Sequence, residues 1–239
     1  MSKEIIFFDT ETTGNTASDF LCQLAYKKNN ETFNKLYKPP KKVPPEASAV
    51  HHITNKMLLD KPTFRESDDY ANIKELFESE DTILVAHNAP FDLAMLDQED
   101  IEPVNFICTL RVARELDKDE KIERYNLQYL RYLLEIEVEG TAHDALGDVL
   151  VLEELFGRLK KKIMESNNIN EAEAVQKMLE ISSHPSLLRT FKFGKYNGQR
   201  IEEIASIDRG YLEWLLAQKQ AGDEIDEDWV YTLKHYLQK

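Results

Sequence analysis

Apolar runs that break off at acids or turn residues set the rhythm of this chain. Ile5–Thr10 carries Ile-Ile-Phe-Phe without alternating polarity and predicts a strand buried on both faces. Phe20–Lys28 and Thr32–Lys38 predict two more strands, with Lys28-Asn29-Asn30-Glu31 as the turn between them. The proline-rich stretch KPPKKVPPEAS predicts an extended connection. A short helix is expected near Asn55–Leu59 and a longer one near Phe64–Ser79. Thr82–Ala86 (TILVA) predicts another buried strand. His87-Asn88-Ala89-Pro90 then leads into a helix, with Asn88 as candidate N-cap and Pro90 in the first turn. Phe106–Thr109 predicts a short strand, and Leu110–Leu116 and Asn126–Leu134 predict helices.

The clearest helix begins near Asp144. Ala145, Val149, Leu152, Phe156, Leu159 and Ile163 recur at steps of four and three, which lays one apolar stripe along it. The polar, charged stretch Lys160–Glu180 reads as a helical linker. From about Thr190 the texture changes to FKFGKYNGQRIEEIA, a hairpin pattern with Asn197-Gly198 at the turn. Helical patterns at Tyr211–Lys219 and Trp229–Leu237 follow. The expected division is a domain over 1–164, a helical linker over 165–187 and a module over 188–239.

Composition narrows the function. The 239 residues, 42% of them hydrophobic, can bury a sizeable core. A formal net charge of −14 argues against non-specific adhesion to nucleic acid or anionic membrane. It leaves room for a nucleic-acid enzyme whose acids are covered by metal ions. Cys22 and Cys108, far apart, form neither a metal-type spacing nor a disulfide framework. No apolar run reaches membrane-spanning length, and Asp9 cuts the first run too short for a secretory leader. A cytoplasmic protein with no membrane partner is expected.

The chemistry lies where the apolar runs end. In FFDTETTG, Asp9 and Glu11 are two apart, so a strand projects both to one face. Two like charges there repel unless a cation sits between them, and hard divalent ions favour oxygen ligands. On this stretch alone, solvated end-of-strand acids are an equal reading. HNAPFDLAML places Asp92 in the first turn of a helix, where a carboxylate is favourable for local reasons too. GTAHDALGDVL places His143 just before the long helix and Asp148 in its first two turns. These also fit a capping histidine and a solvated helical acid, and Asp144 is the expected N-cap.

Taken together, FFDTETTG, HNAPFD and HDALGD resemble, in order, the three exonuclease motifs of the DnaQ-like DEDDh 3′–5′ exonucleases. The similarity spans roughly residues 4–160 and includes PPEASAVHHITNKML, ICTLRVAREL and YNLQYL. It implies a ribonuclease-H-like α/β fold, a mixed β-sheet flanked by helices. It also implies two Mg²⁺ or Mn²⁺ ions held by Asp9, Glu11, Asp92 and Asp148, with His143 as general base. Nucleoside 5′-monophosphates would be released from a nucleic-acid 3′ end. Cys108 departs from the pattern, since many members carry Asp there. Thr10, Thr13 and Gly14 are candidates to receive the terminal nucleotide. Phe91 is a candidate to stack on it, or a core phenylalanine. Asn88 and His51 are candidates to contact substrate, or to serve a cap and a turn.

The end of the chain, FKFGKYNGQRIEEIASIDRGYLEWLLAQ, resembles the small α+β module of exonuclease X-like proteins, which makes DNA the expected substrate ahead of RNA. Lys192, Lys195 and Arg200 beside Tyr196 fit a nucleic-acid contact. They also fit an ordinary solvated hairpin with Tyr196 and Trp214 in a small core, the reading preferred from the sequence. The alternatives for the whole chain are an RNA-trimming exonuclease, a polymerase-associated proofreading subunit and a non-catalytic binding protein that kept the fold. No segment announces a polymerase-docking peptide.

Overall fold

A computed structural model of the chain describes residues 3–16, 18–138, 145–221 and 226–238. They form two compact units, one of residues 1–112 and 124–182, the other of 113–123 and 183–239.

The first unit is built on a five-stranded mixed sheet with the order β3-β2-β1-β4-β5. The strands are β1 (Glu4–Thr12), β2 (Leu21–Lys28), β3 (Glu31–Leu36), β4 (Thr82–Ala86) and β5 (Phe106–Cys108). Central β1 pairs antiparallel with β2 and parallel with β4, which pairs parallel with β5. The apolar run of β1 is continuous because both of its faces are covered. Ile6 and Phe8 enter a core cluster with Phe77, Leu84 and Leu96. Phe77 belongs to α2 (Tyr70–Glu78) and Leu96 to α3 (Ala89–Asp97). On the other face Phe7 meets Phe156 edge-on at 5.3 Å, and Phe156 belongs to α6 (Ala145–Asn167).

All six residues of the expected α6 stripe are buried. Each such aliphatic or aromatic side chain contributes about 1.5–3 kcal/mol when fully removed from water. The chain also forms α1 (Pro45–His51), α4 (Thr109–Leu116) and α5 (Leu127–Leu133). The stretch read as a linker holds α7 (Glu171–Ser182), whose Ala174 and Met178 are buried. Its last residue binds the first unit: Cys108 N donates to Ser182 Oγ at 2.8 Å, and Arg111 donates to the Ser182 carbonyl. Cys108 is itself fully buried, so a carboxylate at this position would be desolvated.

Three expectations need correction. Residues 55–60 form turns and no helix. The next helix begins at Tyr70, because Phe64–Ser67 closes a turn of its own: Ser67 N and Oγ both donate to the Phe64 carbonyl. The expected hairpin over 190–200 is reduced to a single antiparallel bridge, Thr190 to Arg200. A tight type I′ hairpin needs positive φ at both central residues. Asn197 has φ −51° and ψ 129°, and Gly198 has φ +83°, which is a type II turn. The second unit is therefore mostly helical: α8 (Ile201–Ile207), α9 (Arg209–Ala221) and α10 (Glu227–Gln238) around Phe191, Ile204, Leu212 and Leu233.

Candidate active site

Alternation along β1 decides which acids meet. Phe7, Asp9 and Glu11 share the face that looks toward α6, while Ile6, Phe8 and Thr10 share the other. The first turns of α6 bring Asp148 to the Asp9 and Glu11 side. One carboxylate oxygen from each of Asp9, Glu11 and Asp148 lies within 4.8 Å of the other two. Oxygens around one Mg²⁺ at about 2.1 Å are separated by at most about 4.2 Å, so a sub-ångström adjustment completes the set. Hard oxygen donors from one strand and the facing helix suit a hard divalent cation rather than a soft metal. Asp148 also accepts a hydrogen bond from Gln128 Nε2 of α5, which fixes its orientation.

Asp92 does not join that group. It stands in the first turn of α3, where its Oδ1 accepts from Thr10 N at 3.2 Å and Thr10 Oγ1 at 2.6 Å. Burial pushes its carboxyl up to about 7, against the downward pull of the Thr10 bonds. A cation nearby would reverse that balance in favour of the carboxylate. Thr10 thus ties the fourth acid to the strand that carries the first two.

The loop after Glu11 is built around Asp19. A bulge in the β1–β2 ladder falls between Glu11 and Thr12, a usual device where a strand re-aims its side chains. Asp19 accepts from Thr13 Oγ1 at 2.8 Å, Thr16 N at 2.9 Å and Thr16 Oγ1 at 2.8 Å, and pairs with Lys41 at 2.7 Å. Burial acts to raise the Asp19 carboxyl, but Lys41 and the threonine bonds outweigh it and hold it well below the usual carboxylate range. The network is therefore intact above that range and is lost only as pH falls through it.

Gly14 also has a packing reason to lack a side chain: a Cβ would sit 2.5 Å from Asp19 Oδ2. We expect Gly14→Ala to cost about 1–3 kcal/mol through overpacking against the pinned carboxylate. Thermal unfolding checks this, and an unchanged melting temperature would show that Asp19 yields freely. His51 supports the same loop. Its Nδ1 accepts from Ile53 N at 3.0 Å, which leaves the proton on Nε2, facing the Thr12 carbonyl at 3.2 Å. Burial lowers its pKa, so the ring is neutral.

Asn88 takes a left-handed conformation, φ +66°, and its side chain makes no cap bond, contrary to expectation. Asn tolerates that region better than most residues, and the turn into α3 uses that tolerance. Asn88 is exposed and Phe91 half-buried. His87 faces Thr109 Oγ1 at 2.9 Å and the Tyr125 carbonyl at 2.6 Å, so it joins three segments of the first unit. His143 lies outside the described residues. Sequence reasoning missed Gln128 and Asp19. Gln128 has no signal beyond its place in the helix before the third motif. Asp19 could have been suspected from its position just before β2, across a Thr-rich loop.

The exonuclease family pattern matches residues 6–156, over half the chain, and an exodeoxyribonuclease X-like C-terminal pattern matches residues 191–220. The chain belongs to the exonuclease family. Within that family it is 34% identical over 204 residues to exodeoxyribonuclease 10 of Escherichia coli K12, spanning 85% of this chain and 83% of that one. Among solved structures it is similar to exonuclease X in complex with 5′ overhanging duplex DNA. The TM-score is 0.56 at 26% identity, covering 74% of this exonuclease and all but 1% of that chain. E. coli exonuclease I with a dT13 oligonucleotide shares the fold at TM-score 0.58 and 21% identity, over 70% of this chain and 43% of its own. No described helix is long and apolar enough to cross a membrane.

Proposed function

We propose that this exonuclease removes nucleotides from the 3′ end of DNA, with two divalent cations, Mg²⁺ or Mn²⁺, held by Asp9, Glu11, Asp92 and Asp148. The observation that carries this reading is the convergence of Asp9, Glu11 and Asp148 oxygens at the end of the central strand. The likeness to an exodeoxyribonuclease supports DNA as substrate; an epsilon subunit of DNA polymerase III matches at 36% identity over only 52% of this chain, against 85% for the exodeoxyribonuclease, so the proofreading-subunit alternative is less favoured.

A phosphodiester is anionic and repels a nucleophile. Bound divalent ions supply charge neutralisation, a more acidic water and stabilisation of the departing 3′ oxygen. The protein's own part is placement and proton transfer. Asp9, Glu11 and Asp148 would hold one cation, and Asp92, which Thr10 ties to the same strand, would supply the fourth carboxylate. Gln128 keeps Asp148 aimed inward. His143 takes the proton of the attacking water, as a near-neutral imidazole can. The displaced 3′ oxygen stays on the shortened strand, and the phosphate leaves on the released nucleoside 5′-monophosphate.

The test is labelled single-stranded DNA and a matched RNA incubated with Mg²⁺ and with excess EDTA. Stepwise shortening of DNA from the 3′ end is expected with Mg²⁺ alone. Full hydrolysis in EDTA would refute the metal site, and preferential RNA shortening would refute the substrate.

A further inference from the structure

The second unit places aromatic side chains where its core does not need them. Trp214 is 54% exposed and Phe193 38% exposed. Trp229, Phe191 and Leu233 fill the small core instead. Trp214 adjoins Tyr211, with ring centroids 5.5 Å apart, and Tyr211 meets Tyr196 edge-on at 5.0 Å. The ammonium of Lys195 lies over both tyrosines, 4.6 Å from the Tyr196 ring and 5.1 Å from the Tyr211 ring.

This group is held rigid. Asp208 accepts from Tyr196 Oη at 2.5 Å, Lys195 Nζ at 2.9 Å and Tyr211 N at 3.2 Å. Gly194, at φ +67°, lets the backbone pass beneath Tyr211, whose hydroxyl would lie 3.1 Å from an added Cβ. Lys195 nonetheless keeps a side-chain exposure of 58%. Charge points the same way. Residues 188–239 carry eight Lys and Arg against nine Asp and Glu, close to balance in a chain of net −14, so a phosphate backbone meets less repulsion here than elsewhere on the chain.

An exposed indole flanked by a half-buried tyrosine and a fixed cation has the elements of a sequence-tolerant single-strand platform: a base stacks on the ring, and phosphates lie near the cation. We propose that Trp214, Tyr211 and Lys195 form a second nucleic-acid contact that takes single-stranded DNA. It rests on the exonuclease reading for the identity of the strand. A proline-rich peptide is the other chemistry that aromatic surfaces accept, but it has no use for the cation and no tie to the hydrolytic site.

The test uses the full chain in excess EDTA, with a fluorescein-labelled oligothymidylate as probe. Trp214→Ala should bind about tenfold more weakly, the usual worth of one base–aromatic stack. Oligonucleotide binding should quench tryptophan emission in the parent chain, and Trp214→Ala should lose that quenching. Lys195→Gln should reduce the slope of log affinity against log salt by about 0.7. With Mg²⁺, hydrolysis of the nitrophenyl ester of thymidine 5′-monophosphate should be the same for Trp214→Ala and the parent chain. Unchanged affinity and quenching in Trp214→Ala would overturn the proposal. So would Trp214-dependent binding of a proline-rich peptide without such binding of DNA. Absence of ester hydrolysis in the parent chain would instead overturn the exonuclease reading, while Trp214-dependent DNA binding would still support this contact.

Discussion

Asp9→Ala is expected to abolish turnover while leaving the protein folded. Asp9 is one of three carboxylates whose oxygens lie within 4.8 Å of each other, so its loss removes a ligand and a negative charge at once. Lewis-acid assistance is worth several kcal/mol, and each 1.36 kcal/mol is tenfold, so the rate should fall by roughly a thousandfold or more. Stability separates this from simple damage. Without divalent ions, three crowded carboxylates repel one another by up to about 4 kcal/mol per pair at an effective dielectric near 20. The variant should therefore melt at or above the parent's temperature in EDTA. Mg²⁺ should raise the parent's melting temperature by mass action and barely move the variant's. Scanning calorimetry of both proteins with and without Mg²⁺ checks this. A full Mg²⁺ shift in Asp9→Ala, with turnover retained, would remove Asp9 from the site.

His143→Ala should lower kcat by about a hundredfold or more, the usual size of general-base assistance, with little change in KM. The pH profile carries the decisive sign. A base must be deprotonated to act, so the parent's rate should climb with pH through the imidazole range near about 6.5. That limb should vanish in His143→Ala. His51 is the control, because its ring is buried, neutral and engaged with Thr12 and Ile53. His51→Gln should keep the limb even if it loosens the loop. A persistent acid limb in His143→Ala would assign the base to another group.

Much of this was legible in the chain. The unbroken apolar runs of β1 and β4 named the buried strands, because a strand covered on both faces has no polar side to show. The stripe from Ala145 to Ile163 named α6, since only a 3.6-residue period puts those residues on one face. The spacing of Asp9 and Glu11 gave their shared direction. Other features have no local signature. That Asp148, 139 positions beyond Asp9, completes the group and that Asp92 is held through Thr10 depend on how α6 and α3 pack against opposite faces of β1. Gly14 reads as a candidate to receive the terminal nucleotide, and the packing demand on it comes from Asp19, which only the folded loop brings against it. The pattern around Asn197-Gly198 signals a reversal but not its type, since one backbone rotation separates a hairpin from the type II turn that forms. Trp214 shows the limit most plainly. Its place on an apolar-rich helix suggests burial, and only the packing of Trp229 beside Phe191 leaves it outside. Local propensity and periodicity are properties of neighbours in sequence and are written there. Which of two equally apolar side chains fills a core is a competition for one volume, and it is settled only when the elements close around it.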